Sequence, residues 1–223
     1  MARYPGAQRP VQEGPVSDAR FTIYTQFNEA SRLEFAGMKH RIHSLPVDLF
    51  PTDSLPDRLA RSLAEHRVVH VKELLESFEF FARVRRRVRR PTVVELCAGH
   101  GLVGLIFALC EPSVTRVELV DSRQPPSFGR IREAFTTIAP WVADKVVYRE
   151  TPLDGSTALP DGAGVVLAHA CGELTDLGLD CAIASGAPVA AMPCCYGSAR
   201  GPRVPALSKA FGRAANIDIT RSH

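Results

Sequence analysis

The chain has 223 residues, of which 45% are hydrophobic and 23% charged, a balance that supports a full globular core. No apolar run reaches the roughly eighteen residues a membrane span needs, and the opening MARYPGAQRPVQEGPVSD lacks the apolar centre of a signal peptide, so the cytoplasm is the expected address. The net charge of +3 is mild but unevenly placed: residues 1–90 carry 16 Lys and Arg against 11 Asp and Glu, and residues 91–223 carry 11 against 13.

Pro, Gly and polar residues dominate positions 1–18, which reads as a flexible tail. Positions 19–90 read as an N-terminal helical cap. Aromatics run from Phe21 to Phe50, and Ser54 followed by LPDRLARSLAEH predicts a capped helix with Asp57 three residues on. A second helix is predicted over 68–84, with Val71, Leu74, Phe78 and Phe81 in one apolar stripe. Arg85 and Arg89 fall on the continuation of that stripe, so the helix either ends near Arg83 or turns its last turn toward a partner. They belong to RVRRRVRR, six arginines in eight positions (Arg83, Arg85, Arg86, Arg87, Arg89 and Arg90). Such a run is either a solvated helix end or a phosphate-contacting patch for RNA.

From Thr92 the rhythm changes. Five short apolar runs, TVVELC, VTRVELV, DKVVYR, GVVLAHA and APVAAM, alternate with helical material such as LVGLIFALCE, FGRIREAFTTIAPWV and LTDLGLDCAIA. Strands alternating with helices predict βαβ units, and continuous apolarity predicts a parallel sheet covered on both faces. The fold class is therefore α/β: a doubly wound, mostly parallel Rossmann-like sheet over 91–223, behind an N-terminal helical extension.

The first strand exits through Glu95-Leu-Cys97-Ala98-Gly99-His100-Gly101-Leu-Val-Gly104, and the second ends in Asp121. The three glycines alone match a dinucleotide fingerprint, with Asp121 where an acid grips a ribose diol. Glu95 argues against a diphosphate beside it, since like charges repel, and for a ligand that carries positive charge. A nucleotide-dependent oxidoreductase stays open as a lesser alternative.

The segment ELCAGHG with Asp121 resembles the cofactor loops of class I S-adenosylmethionine-dependent methyltransferases. The segments HACGELTD (169–176) and PCCYG (193–197) resemble a subgroup that includes tRNA ribose 2′-O-methyltransferases. The resemblance spans roughly residues 72–197. It implies S-adenosyl-L-methionine as cofactor, with Glu95 near its methionine part and Cys97, Ala98, Gly99 and Gly101 in close backbone approach. Asp121 is implied on the ribose hydroxyls, Ser122 beside the adenine, and Leu153-Asp154 near the adenine amino group. His169 and Ala170 are implied on the floor beneath the methyl group. His169 and Asp176 are the candidate catalytic pair should the acceptor have to lose a proton, although Asp176 also suits a first-turn acid facing a helix dipole. Tyr196 is an outside candidate for stacking on a planar substrate.

The departures from that family bear on the substrate. No N/D-P-P-Y segment follows the fourth strand, which argues against amino methylation of bases in that manner. The zinc modules of the tRNA-modifying members are missing, and the 26 residues after Gly197 do not read as the family's last two strands. An incomplete or abbreviated sheet is the expectation. His169, Cys171, Cys194 and Cys195 invite a zinc site, but adjacent cysteines point to opposite sides of a strand, so no metal is expected. Cys97, Cys110 and Cys181 sit among apolar residues as small hydrophobes. The expected activity is methyl transfer to oxygen or nitrogen of an RNA or a small molecule, with a catalytically inactive RNA- or protein-binding adaptor as the alternative.

Overall fold

The structure is a computed structural model that describes residues 41–44 and 50–193. The expectations for the tail, for most of the stretch before Phe50, and for Cys194, Cys195, Tyr196 and the C-terminal segment lie outside the described residues.

Leu55–Glu65 forms α1. Its entry is closed differently from the expected cap: Ser54 makes no side-chain cap bond. Instead the buried Asp57 carboxylate accepts from Thr52 N at 2.9 Å and Thr52 Oγ1 at 2.7 Å. Val71–Val88 forms α2, which starts three residues after the predicted 68–84 and runs four residues, about one turn, beyond its end. The extension has a physical cause, since Arg85 and Val88 are buried and continue the apolar stripe into the core.

The sheet follows the expected rhythm. Its strands are β1 (Thr92–Leu96), β2 (Arg116–Asp121), β3 (Val146–Glu150), β4 (Gly164–Ala168) and β5 (Val189–Met192), all parallel and in the order β3-β2-β1-β4-β5. This is the doubly wound Rossmann-like layout, and the strand order reverses between β1 and β4. Helices α3 (Leu102–Cys110), α4 (Ser127–Ile138), α5 (Val142–Lys145) and α6 (Glu173–Ala184) fill the crossovers. Pro140 interrupts the single helix expected over 128–142, which the structure divides into α4 and α5.

Alternate residues of the strands feed two apolar cores. Val93, Val117 and Val166 join Leu74, Phe78, Phe81 and the wholly buried α3 in the larger one. Val94, Leu96, Val120, Val165 and Leu167 join Ala182 of α6 in the smaller. Burying each large side chain contributes about 1.5–3 kcal/mol before chain entropy is set against it. Phe81 meets Phe107 edge to face, centroids 4.8 Å apart, so α2 is bolted to α3 by the pair geometry aromatic rings prefer. Thus α1 and α2 share one core with the sheet. None of the helices among the described residues is long and apolar enough to cross a membrane.

Because α2 leads back into β1, its first turns lie by the carboxyl ends of the strands and its last turn by their amino ends. At that lower end Glu111, 1% exposed, receives Arg85 Nε at 3.1 Å and Arg89 Nη1 at 3.4 Å. This takes Arg85 out of the expected arginine surface, while Arg83, Arg86, Arg87 and Arg90 are exposed. Arg85 is a buried partner of an acid, and Arg83 pairs with Glu79 one turn back. Arg86 and Arg87 are exposed. They stand about 20 Å along the helix axis from its first acids, at the opposite end of the sheet from the glycine turn.

Candidate functional site

The carboxyl ends of β1, β2 and β4 converge at the switch point. Gly99 and Gly101 both hold left-handed backbone, φ +52° and +72°. At Gly101 an added Cβ would stand 2.3 Å from Leu119 Cδ1, so both the angle and the space demand glycine. A Cβ on Gly99 would meet nothing within 4 Å, which leaves bare backbone beside open space.

Asp121 ties the second strand to this turn. Its Oδ2 accepts from Gly99 N at 2.8 Å and its Oδ1 from the Ser122 hydroxyl at 3.1 Å. Ala98 N also donates to Val120 O at 3.0 Å. The turn's other edge is held by Tyr148 on β3, whose hydroxyl donates to Gly99 O at 2.6 Å while its ring packs on Phe128. Burial, then the carboxylates of Asp121 and Glu95, push the phenol well above its ordinary pKa, which keeps it a donor. The sequence reading missed Tyr148; an aromatic on an edge strand carries no motif.

Glu95 is 2% exposed and shares its face of β1 with Val93. Its Oε2 accepts from Gly104 N at 2.6 Å, and Val103 N bonds it as well. The carboxyl therefore caps the N-terminus of α3, where the helix dipole favours an acid. Gly104 lets it in: a Cβ there would stand 2.9 Å from the same oxygen. Burial raises the Glu95 carboxyl to a pKa of about 8, against the lowering effect of those two N–H bonds.

Cys97, at φ +55°, has its thiol pushed up to about 11 by burial and then by the Asp121 carboxylate. It stays protonated and acts as a small packing group. Cys97 and Leu153 pack against the smaller core, of which Ala170 is a buried member, so those three expected residues border one apolar cluster. Asp154 does not join them: its Oδ1 accepts from Ser156 N and Ser156 Oγ, both at 2.8 Å. Those bonds hold its carboxyl below its ordinary pKa. The carboxyl closes an Asx turn, the usual local use of a short acid in a loop.

His169 leaves β4 at φ +61°, beside the turn from β1. Its acidic neighbour is Glu76 of α2, with Nε2 to Oε2 at 3.6 Å. Asp176 is exposed in the first turn of α6, the place of a dipole-facing acid. A second histidine, His100, meets Glu73 at 2.6 Å. Burial pushes His100 down, but the hydrogen bond and charge of Glu73 outweigh it and hold the ring above its ordinary pKa. Glu73 is likewise held below its own, burial opposing and His100 prevailing. Glu73 and Glu76 are thus site-wall residues that the motif reading missed. Their spacing of three along a helix was the available signal.

Among the described residues no three His, Cys, Asp or Glu side chains stand together as a metal site, and Cys97, Cys110, Cys171 and Cys181 are in no disulfide.

No family model matches the chain. Among curated proteins it is similar to a glutathione S-transferase C-terminal domain-containing protein of Xenopus laevis, 34% identical over 163 residues, which are 70% of this chain and 24% of that protein. The chain thus spans about a quarter of the length of that relative. Among solved structures it is similar to the S-adenosylmethionine-dependent methyltransferase SibL in its apo form. That likeness has a TM-score of 0.42 and 16% identity, over 87% of this chain and 58% of the other.

Proposed function

We propose that this chain binds S-adenosylmethionine over the Gly99–Gly101 turn and transfers its methyl group to an oxygen or nitrogen acceptor on a small molecule or an RNA. One observation carries the choice of cofactor. The N–H groups at the start of α3, which a dinucleotide's diphosphate would claim, are already bonded to the chain's own Glu95. A ligand placed there needs no anionic group. The open space over Gly99 and the half-buried Asp121 at the end of β2 fit a ribose diol beside a bare backbone. The resemblance of ELCAGHG and Asp121 to methyltransferase loops supports the same reading.

The cofactor, when bound, supplies a methyl group already activated on a cationic sulfur, so the protein's task is placement. Gly99 and Gly101 admit close approach, Asp121 and Tyr148 hold the turn that does so, and Cys97 and Leu153 give an apolar wall. His169, at the end of the adjacent β4, offers a ring nitrogen on the crevice as acceptor for a proton lost by the methyl acceptor.

Calorimetric titration with S-adenosylhomocysteine tests the reading. Binding at micromolar concentration, lost in Asp121→Ala, is the expected result. Absence of heat at high micromolar ligand, with NADH fluorescence enhanced on mixing, would turn the assignment to the oxidoreductase.

A further inference from the structure

Two glutamates on one face of α2 each meet a histidine at the carboxyl edge of the sheet, and the pairs are unlike. Glu73 and His100 are closed at 2.6 Å. Glu76 and His169 stand at 3.6 Å, beyond hydrogen-bond reach. The His169 Nε2 atom is buried without a hydrogen-bond partner, although its side chain is 32% exposed. A buried polar nitrogen left unpaired costs free energy, and so does left-handed backbone at a residue other than glycine. His169 bears both costs, at the strand end next to the switch point. Structure that tolerates two penalties at one residue commonly does so where that residue works.

We infer that Glu76 is a positioning residue for His169: its carboxylate takes the Nε2–H side of the ring and leaves Nδ1 as the nitrogen that accepts the proton of the methyl acceptor. The inference rests on the methyl-transfer reading. The acceptor's O–H or N–H bond breaks and its proton goes to Nδ1. The freed electron pair forms the new bond to the methyl carbon, and the sulfur keeps the pair of the bond that breaks. The imidazolium so formed is matched by Glu76, while Glu73, which also acts on His169 through its charge, and His100 complete the wall.

Nitrogen-15 and proton NMR of the histidine rings tests this, with His169→Gln identifying the signal and S-adenosylhomocysteine added. The expected neutral ring carries its proton on Nε2, protected from exchange. Glu76→Ala speeds that exchange about tenfold or more, and Glu76→Asp restores part of the protection. Glu73→Ala leaves the His169 tautomer unchanged. A proton on Nδ1 in the wild-type ring, or exchange indifferent to Glu76→Ala, would overturn the assignment. The wild-type tautomer alone decides the matter should a variant not fold. Failure of the wild-type protein to bind S-adenosylhomocysteine would strike the cofactor reading instead, and the calorimetric titration registers that separately.

Discussion

Arg85 Nε lies 3.1 Å from Glu111 Oε1, with both side chains almost wholly buried, and this pair sets Arg85 apart from the exposed arginines of its run. The guanidinium also lies over the Phe81 ring, 5.7 Å from its centroid. A charge in such a place is retained only while its partner is present. Glu111→Ala should therefore cost about 3–5 kcal/mol in urea unfolding, because Arg85 is left uncompensated. The double variant Arg85→Met/Glu111→Leu should recover most of that loss. Replacement of the exposed Arg87 by Ala should stay within about 0.5 kcal/mol. Equal, small effects at all three sites would mean that Arg85 is not the core residue described above.

The Glu95 carboxyl predicts a pH dependence of known sign. Its folded pKa of about 8 lies above the ordinary glutamate value of 4.5, so between the two the folded chain keeps a proton that the unfolded chain gives up. The stabilising contribution is full below the unfolded pKa and is lost as pH rises to the folded one. Wild-type stability relative to Glu95→Gln should fall between about pH 5 and about pH 8, by on the order of 1 kcal/mol per pH unit. The glutamine keeps an acceptor for Gly104 N but cannot ionise. Parallel stability curves for the two proteins in that window would refute the cap as described.

Tyr148 makes a narrower prediction. Its hydroxyl holds Gly99 O at 2.6 Å, so Tyr148→Phe removes one bond from the turn and leaves the ring against Phe128 in place. The expected losses are about 1 kcal/mol of stability and roughly fivefold in affinity for S-adenosylhomocysteine. Calorimetry on variant and wild type measures the second. Unchanged affinity would place the ligand away from Gly99.

How much of this was legible beforehand follows the range of the interactions. The β-branched runs, the helical material between them and the Gly99–Gly101 turn are local signals, and each element appeared within a few residues of its expected position. Asp121 was legible too, since its role depends on its place at a strand end. What periodicity could not reveal was the partner of a residue distant in sequence. Arg85 fell correctly on the apolar stripe, but only the packing of α2 on α3 brings Glu111 beneath it. Likewise Asp176 was paired with His169 because they share one segment. The running of α2 beside the sheet brings Glu76 there in its place. Asp154 shows the opposite case, a purely local Asx turn closed through Oδ1 that a reading for ligand contacts did not anticipate.

The tie between Glu73 and His100 supplies the last prediction, because it joins α2 to the glycine turn through ionisable groups alone. His100 is held above its ordinary pKa, so its share of stability is full below about pH 6.5 and disappears as pH rises through the folded value. Glu73 is held below its ordinary pKa, so its share is present above about pH 4.5 and disappears as pH falls through the folded value. The tie is therefore strongest between those limits and weakens on the alkaline side first under ordinary conditions. Glu73→Gln should cost about 1–3 kcal/mol near pH 6 and much less near pH 9, as read from paired urea titrations. In the wild-type protein amide exchange across the Gly99–Gly101 turn should quicken over the same alkaline range, since the turn loses its hold on α2. A cost for Glu73→Gln that is constant from about pH 6 to about pH 9 would show that the pair packs without exchanging charge, and the alkaline loosening of the crevice would fall with it.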